Sequence, residues 1–211
     1  MKQQIDLTTW PRREHFTFFS AFDEPFFGLV AEVDCTQAQA EAKRLGVSFF
    51  LYYLHCVLQA ANDVEAFRYR IEEGQVYLYD RIHASATIGR PDHTFSFSFI
   101  EQQDSLPDFI AGANAEIEAV QQATGLRLND QTGRPDVIHF SAIPWVRFTG
   151  LTHARSFQHP DSSPKISVGQ TYQDGATLRM PVSVNLHHGL GDGYHVGLFL
   201  EAFQRRLNFR A

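Results

Sequence analysis

Residues Met180 to His195 read M-P-V-S-V-N-L-H-H-G-L-G-D-G-Y-H. Met180, Val182, Val184, Leu186 and His188 fall at every second position, with Pro181, Ser183, Asn185 and His187 between them. That period-two alternation predicts a strand with one face buried. It places His188 on the apolar face and His187 on the polar one. Gly189, Gly191 and Gly193 then permit a tight turn, and Asp192 suits the cap of a following helix. On the pattern alone a histidine of an apolar strand face is ordinarily a hydrogen-bonded core residue. An imidazole at a strand end, beside a glycine-rich turn with a fixed carboxylate, is also a plausible general base. His187, His188 and His195 could suggest a metal, but adjacent strand residues point to opposite faces, so no metal site is expected.

Working outward, Thr177–His187 pairs with Pro164–Tyr172 as a hairpin around Gln173-Asp174-Gly175, and an amphipathic helix runs from Gly193 or Tyr194 to about Phe209. Upstream, Phe26 to Asp34 reads as a strand. Either Asp34 or Thr36 can cap a helix through Leu45, stopped by Gly46. Val47 to Asn62 has the length and composition of a buried helix. Phe67–Ile71 and Gln75–Tyr79 flank a short hairpin connection, followed by strands at Ile82–Gly89 and Thr94–Glu101. In the latter, Phe95, Phe97 and Phe99 alternate with serines, an aromatic row facing either core or ligand. Leu106 to Thr124 has helical periodicity, and Val137–Ser141 is a further strand. Helices are not regularly interposed between strands, so the chain reads as α+β with a mixed sheet. No repeat or linker divides it, and one domain over residues 1–211 is expected.

The 211 residues suffice for a sizeable core. Nineteen phenylalanines exceed what such a core needs, consistent with an aromatic pocket or a subunit interface. A net charge of −6 argues against nucleic-acid or anionic-membrane partners. Cys35 and Cys56 have neither metal-type nor redox-type spacing. Met1 to Asp6 contains no apolar signal region and no apolar run approaches membrane length, so a cytoplasmic protein is expected.

Three segments share a resemblance. His187 to Asp192 and Gly193 resemble the HHxxxDG signature of the chloramphenicol acetyltransferase family, which also occurs in dihydrolipoyl acyltransferase cores and peptide-synthetase condensation domains. Trp10-Pro11-Arg12-Arg13-Glu14-His15-Phe16 resembles the family's W-x-R-R-E-H-F, and Ser141-Ala142-Ile143-Pro144-Trp145 its S-A-[LI]-P-W. Their order and separations match over nearly the whole chain. Condensation domains are larger, and dihydrolipoyl acyltransferases carry further lipoyl domains.

The resemblance implies a two-layer sandwich of helices on a mixed β-sheet and a homotrimer with sites at subunit interfaces. It implies acetyl-CoA as co-substrate, no permanently bound cofactor, and chloramphenicol or a similar small hydroxylated molecule as acceptor. His188 is then the general base, Asp192 pairs with Arg12 to fix the turn, and Ser141 stabilises the oxyanion. Phe18, Phe19, Phe27, Leu29 and Ser167 match substrate-pocket positions. Trp145 lines the CoA tunnel, or is a buried core tryptophan. Direct transfer in a ternary complex leaves no nucleophilic role for Cys35 or Cys56. Two positions depart from the family pattern: Phe19 is often tyrosine there, and Gln170 is lysine in many members. Those departures keep open a related acyltransferase with another hydroxyl or amine acceptor. A non-catalytic trimer binding hydrophobic anions or CoA is the reading of a different class.

Overall fold

The computed structural model describes residues 1–156 and 161–209. In chain order the elements are β1 (Lys2–Gln4), α1 (Arg13–Phe19), β2 (Phe26–Asp34), α2 (Thr36–Leu45), α3 (Phe49–Asp63), a 3₁₀ turn (Glu65–Phe67), β3 (Tyr69–Glu72), β4 (Gln75–Tyr79), β5 (His83–Gly89) and β6 (Phe95–Phe97). Then come α4 (Leu106–Gln122), β7 (Val137–Ile143), β8 (Lys165–Gly169), β9 (Tyr172–Asp174), β10 (Thr177–His187) and α5 (Gly193–Leu207). A seven-stranded sheet has the order β2-β10-β8-β7-β5-β6, with β9 also paired to β10. Strands β8, β7 and β5 are parallel and the other pairs antiparallel, so the sheet is mixed. The fold is α+β, as the order of elements predicts.

One sheet face is apolar. Ala84, Ala86, Ile138, Phe140, Ile166, Val168, Val182, Val184 and Leu186 join a single core with Leu54, Val57, Leu58, Phe109, Phe199 and Phe203 from the helices. α3 is buried over most of its circumference because it lies in the middle of that helical layer. No described helix is long and apolar enough to cross a membrane. The other face carries rows of polar side chains. Ser141 on β7 pairs in register with Ser167 on β8, which pairs with Ser183 on β10.

β10 departs from the expected half-buried strand: Met180 to Val184 are buried without alternation. It has neighbours on both edges, and its serine-bearing face is covered as well as its valine face. The predicted Pro164–Tyr172 strand is two, β8 and β9, each paired with β10. The predicted strand Thr94–Glu101 shrinks to β6 and a single bridge from Ile100 to Ala84. There the orientation is inverted: Ser96 and Ser98 are buried, Ser98 Oγ donating to the Ala86 carbonyl, while Phe95 is half exposed. Phe99 lies under the Arg134 guanidinium, 4.7 Å away, and against the His83 ring.

β1, β4 and β3 form a separate small sheet. Its hairpin turns at Glu73 and Gly74, both with positive φ (51° and 74°), the geometry of a type I′ turn. Arg70, only 1% exposed, ties this sheet to the main one by donating to the carbonyls of Phe67, Tyr69, Pro135 and Val137. Burial pulls its pKa down to about 10, so it is still a cation near neutrality. α2 starts where Asp34 Oδ1 accepts from both the amide and the hydroxyl of Thr36. Cys35 and Cys56 are free and buried, and burial pushes both thiols up to about 12.

Candidate active site

The end of β10 and the turn into α5 gather the charged motif residues. The backbone of His188 is held on both sides: its N–H donates to the Pro25 carbonyl at 2.8 Å, and its carbonyl accepts from Arg12 Nη2 at 3.1 Å. Arg12 Nη1 donates to Asp192 Oδ2 at 2.8 Å. One guanidinium therefore fixes both ends of the five-residue turn. Asp192 caps α5, accepting from the Tyr194 N–H at 3.0 Å, and its Oδ1 also takes His195 Nδ1 at 2.9 Å. Burial alone would raise the Asp192 pKa, but Arg12 and His195 bring it down to about 2. It is a carboxylate throughout the working range.

The two adjacent histidines have opposite tautomers. His188 Nδ1 lies 3.3 Å from the Gly191 carbonyl oxygen. A carbonyl only accepts, so Nδ1 carries the proton and Nε2 is left with its lone pair. His187 Nδ1 instead accepts from the Gly189 N–H at 3.2 Å, so its proton sits on Nε2. His187 is buried, and burial lowers its pKa to about 4. Gly189 packs tightly there: a Cβ would stand 3.1 Å from the Phe16 backbone and 3.2 Å from the His187 ring. Among the described residues no group of three His, Cys, Asp or Glu is placed to hold a metal ion.

Aromatic rings wall the His188 imidazole. Phe19 stacks flat on it with centroids 3.9 Å apart, and Phe27 lies at 4.6 Å. Phe18 and Phe22 extend the cluster from Phe19, and Phe18 is 60% exposed. Phe27 is opposite Leu186 and Leu29 opposite Val184 on the β2–β10 pair, so both lie on the face that leads to His188. β2 approaches closely here because residue 28 is glycine; a Cβ there would fall 2.3 Å from Asn185 Oδ1.

Ser141, Ser167 and Trp145 stand apart from this cluster. Ser141 Oγ accepts from Thr87 Oγ1 at 3.2 Å, a partner that sequence reasoning missed because β5 and β7 are far apart in the chain. Ser167 Oγ is fully buried with no hydrogen-bond partner among the described residues. The row Ser141–Ser167–Ser183 fixes their distance from His188. His188 is five residues beyond Ser183, about 16 Å along the strand, and Ser141 two strands away, about 10 Å across. Within one chain the two are therefore on the order of 19 Å apart. Trp145 follows β7 and is 78% exposed, which excludes the buried-core alternative. A cavity of about 460 Å³ lies behind the turn, lined by Trp10, Arg12, Tyr69 and His195 but not by His188.

The whole chain is similar to known proteins. The profile of the chloramphenicol acetyltransferase family matches residues 2–204. The chain belongs to that family. Chloramphenicol acetyltransferase 2 of Escherichia coli is 28% identical over 203 residues, covering 95% of this chain and 94% of that protein. The chloramphenicol acetyltransferase of Proteus mirabilis is 25% identical over 202 residues, covering 95% and 92%. A solved chloramphenicol acetyltransferase superposes with a TM-score of 0.91 at 33% identity, covering 98% of this chain and 100% of that one. A probable dihydrolipoamide acetyltransferase from Listeria monocytogenes shares the fold alone, with a TM-score of 0.69 at 14% identity, covering 97% and 94%. The chain is thus an acyltransferase of the chloramphenicol acetyltransferase family.

Proposed function

We propose that the enzyme transfers an acetyl group from acetyl-CoA directly to a hydroxyl of chloramphenicol or a similar small acceptor, with His188 as general base. The observation that carries this reading is the 3.3 Å contact of His188 Nδ1 with the Gly191 carbonyl oxygen, an arrangement that puts the proton on Nδ1 and leaves Nε2 as the basic nitrogen, beside an aromatic wall. His188 Nε2 takes the acceptor's hydroxyl proton as its oxygen bonds to the thioester carbonyl carbon. The carbonyl π electrons move to oxygen, and the tetrahedral oxyanion accepts a hydrogen bond from the Ser141 hydroxyl. Collapse re-forms the carbonyl and breaks the carbon–sulfur bond. The CoA thiolate leaves and recovers the proton from the imidazolium. Arg12 and Asp192 hold the turn and do not touch substrate; Trp145 contacts CoA, and Phe18, Phe19, Phe27, Leu29 and Ser167 shape the acceptor site.

Ser141 serves a His188 of another subunit in this proposal, since the two are on the order of 19 Å apart within a chain. The active species is a homotrimer with three interfacial sites. Exposed Phe18 and Trp145 are then covered by neighbours. The domain is one unit over residues 1–211, working in the cytoplasm. The test is thiol release from acetyl-CoA by the purified protein, with and without chloramphenicol, beside His188→Ala. Release that depends on chloramphenicol and disappears in the variant is the expected result. Release equal in both proteins overturns the assigned base. An active monomer in sedimentation under assay conditions overturns the interfacial site.

Phe19 favours one second reading, an acyltransferase with a different hydroxyl or amine acceptor. Its ring packs on His188 but offers no polar group. Silence with chloramphenicol and release with another member of an acceptor panel would select it.

A further inference from the structure

We infer that His195 is a positioning residue for this reaction, the second clamp on Asp192 that keeps the His188 tautomer in place. The inference rests on the reading of His188 as base. Asp192 presents two carboxylate oxygens at the turn. Arg12 takes Oδ2, and His195 Nδ1 meets Oδ1 at 2.9 Å. The Asp192 N–H also points at that nitrogen, at 3.3 Å. One nitrogen cannot both donate to a carboxylate and accept from an amide. The shorter, charge-assisted contact decides, and Nδ1 of His195 carries the proton.

The consequence reaches His188 through two bonds already on the turn. Gly191, whose carbonyl sets the His188 tautomer, is the residue before Asp192, and Arg12 grips Asp192 and the His188 carbonyl together. Arg12 comes from the segment leading into α1, a helix of seven residues with one buried side chain. His195 comes from the first turn of α5, whose next residues, Val196 and Phe199, are completely buried. The histidine therefore anchors the turn to the rigid core, while Arg12 anchors it to a peripheral element. His195 lines the cavity behind the turn, away from the Phe19 and Phe27 wall. It acts through Asp192 rather than on substrate.

The test compares three substitutions. Asn places its Nδ2 where the histidine has Nδ1, so His195→Asn keeps the donor; His195→Leu removes it while filling space, and His195→Ala replaces Leu if that variant does not fold. Imidazole ¹⁵N spectra report the His188 tautomer without any substrate, and initial rates with acetyl-CoA and chloramphenicol report kcat and KM. Wild type and His195→Asn are expected to show one His188 tautomer, protonated on Nδ1. In His195→Leu both tautomers are expected, with kcat about ten-fold lower and KM within about two-fold. An unmixed His188 tautomer in His195→Leu overturns the inference, as does an equal loss in the Asn and Leu variants. Full turnover in His188→Ala instead overturns the base assignment, and the ¹⁵N result then still reports on the clamp.

Discussion

His187 and His188 are neighbours in sequence and opposites in physics. His187 lies against Phe26 in the covered polar side of the sheet, accepts a backbone N–H, and is kept neutral by burial. His188 leaves the strand, donates its Nδ1–H to a carbonyl three residues on, and lies stacked on Phe19 and tilted against Phe27. One is a packing residue that satisfies an amide; the other has a basic nitrogen left over. A turn with a fixed carboxylate gives the second an environment unlike that of a core histidine, and residue type alone does not distinguish them.

The largest effect that separates the two is on turnover. His188→Ala is expected to lower kcat by about 10³-fold or more, the scale of a positioned general base, with the fold intact by circular dichroism. His187→Leu should leave kcat within about five-fold while lowering stability by about 1–3 kcal/mol, because the Gly189 N–H loses its acceptor. Denaturant titration beside initial rates reads both. If His187→Leu abolishes turnover without loss of stability, the division of labour drawn above is wrong.

Next in size is the carboxylate that holds the turn. Asp192→Asn keeps the shape and removes the charge facing Arg12; kcat is expected to fall about 10- to 100-fold, less than for loss of the base itself. The same variant should change the acid limb of stability. The folded pKa of Asp192, about 2, lies below the unfolded value near 3.9. Its contribution is therefore present above about pH 4 and is lost as pH falls toward 2. The His187 window is higher. Its folded pKa is about 4 against about 6.5 unfolded, so the unfolded chain binds the proton first and stability falls from about pH 6.5 to 4. His55, His83, His139 and His153 shift the same way, burial coming first in each. Stability measured against pH should thus lose slope between 4 and 2 in Asp192→Asn, and between 6.5 and 4 in His187→Leu. Slopes unchanged in both windows would break the comparison.

The legible parts of this molecule are those whose signal is local. The hairpin reading of Thr177–His187 gives the bounds of β10, and the glycine-to-aspartate turn locates the cap of α5. α1 left no such trace, since seven residues with only Phe16 buried have no measurable period. In Phe95 to Phe99 the alternation is plain but its polarity is not, because small serines let the chain lie against β5 and the phenylalanines cover charged and imidazole groups instead. The three motifs bring out Arg12, His188, Asp192 and Ser141. Their separation into two distant groups depends on strand order, which no single stretch encodes. The Thr87–Ser141 and Asp192–His195 contacts are of two kinds: the first needs the sheet, while the second was within reach, three residues apart at a helix start.

The smallest expected effect concerns the ring that covers His188. Phe19 lies parallel to the imidazole, and a tyrosine in its place would keep the stack while carrying a hydroxyl to the ring's far edge. A neutral hydrogen bond to an acceptor is worth about 1 kcal/mol, or roughly five-fold in an equilibrium constant. Phe19→Tyr is therefore expected to lower KM for chloramphenicol by up to about five-fold while kcat stays within about two-fold, since the added group binds substrate and transition state alike. Steady-state rates at saturating acetyl-CoA read this directly. A fall in kcat instead would mean that the phenol bonds to His188 or displaces it, and that the flat phenylalanine is there to keep Nε2 free of competing partners. An unchanged KM would mean that the acceptor's polar groups face away from Phe19, and that specificity is set elsewhere in the site.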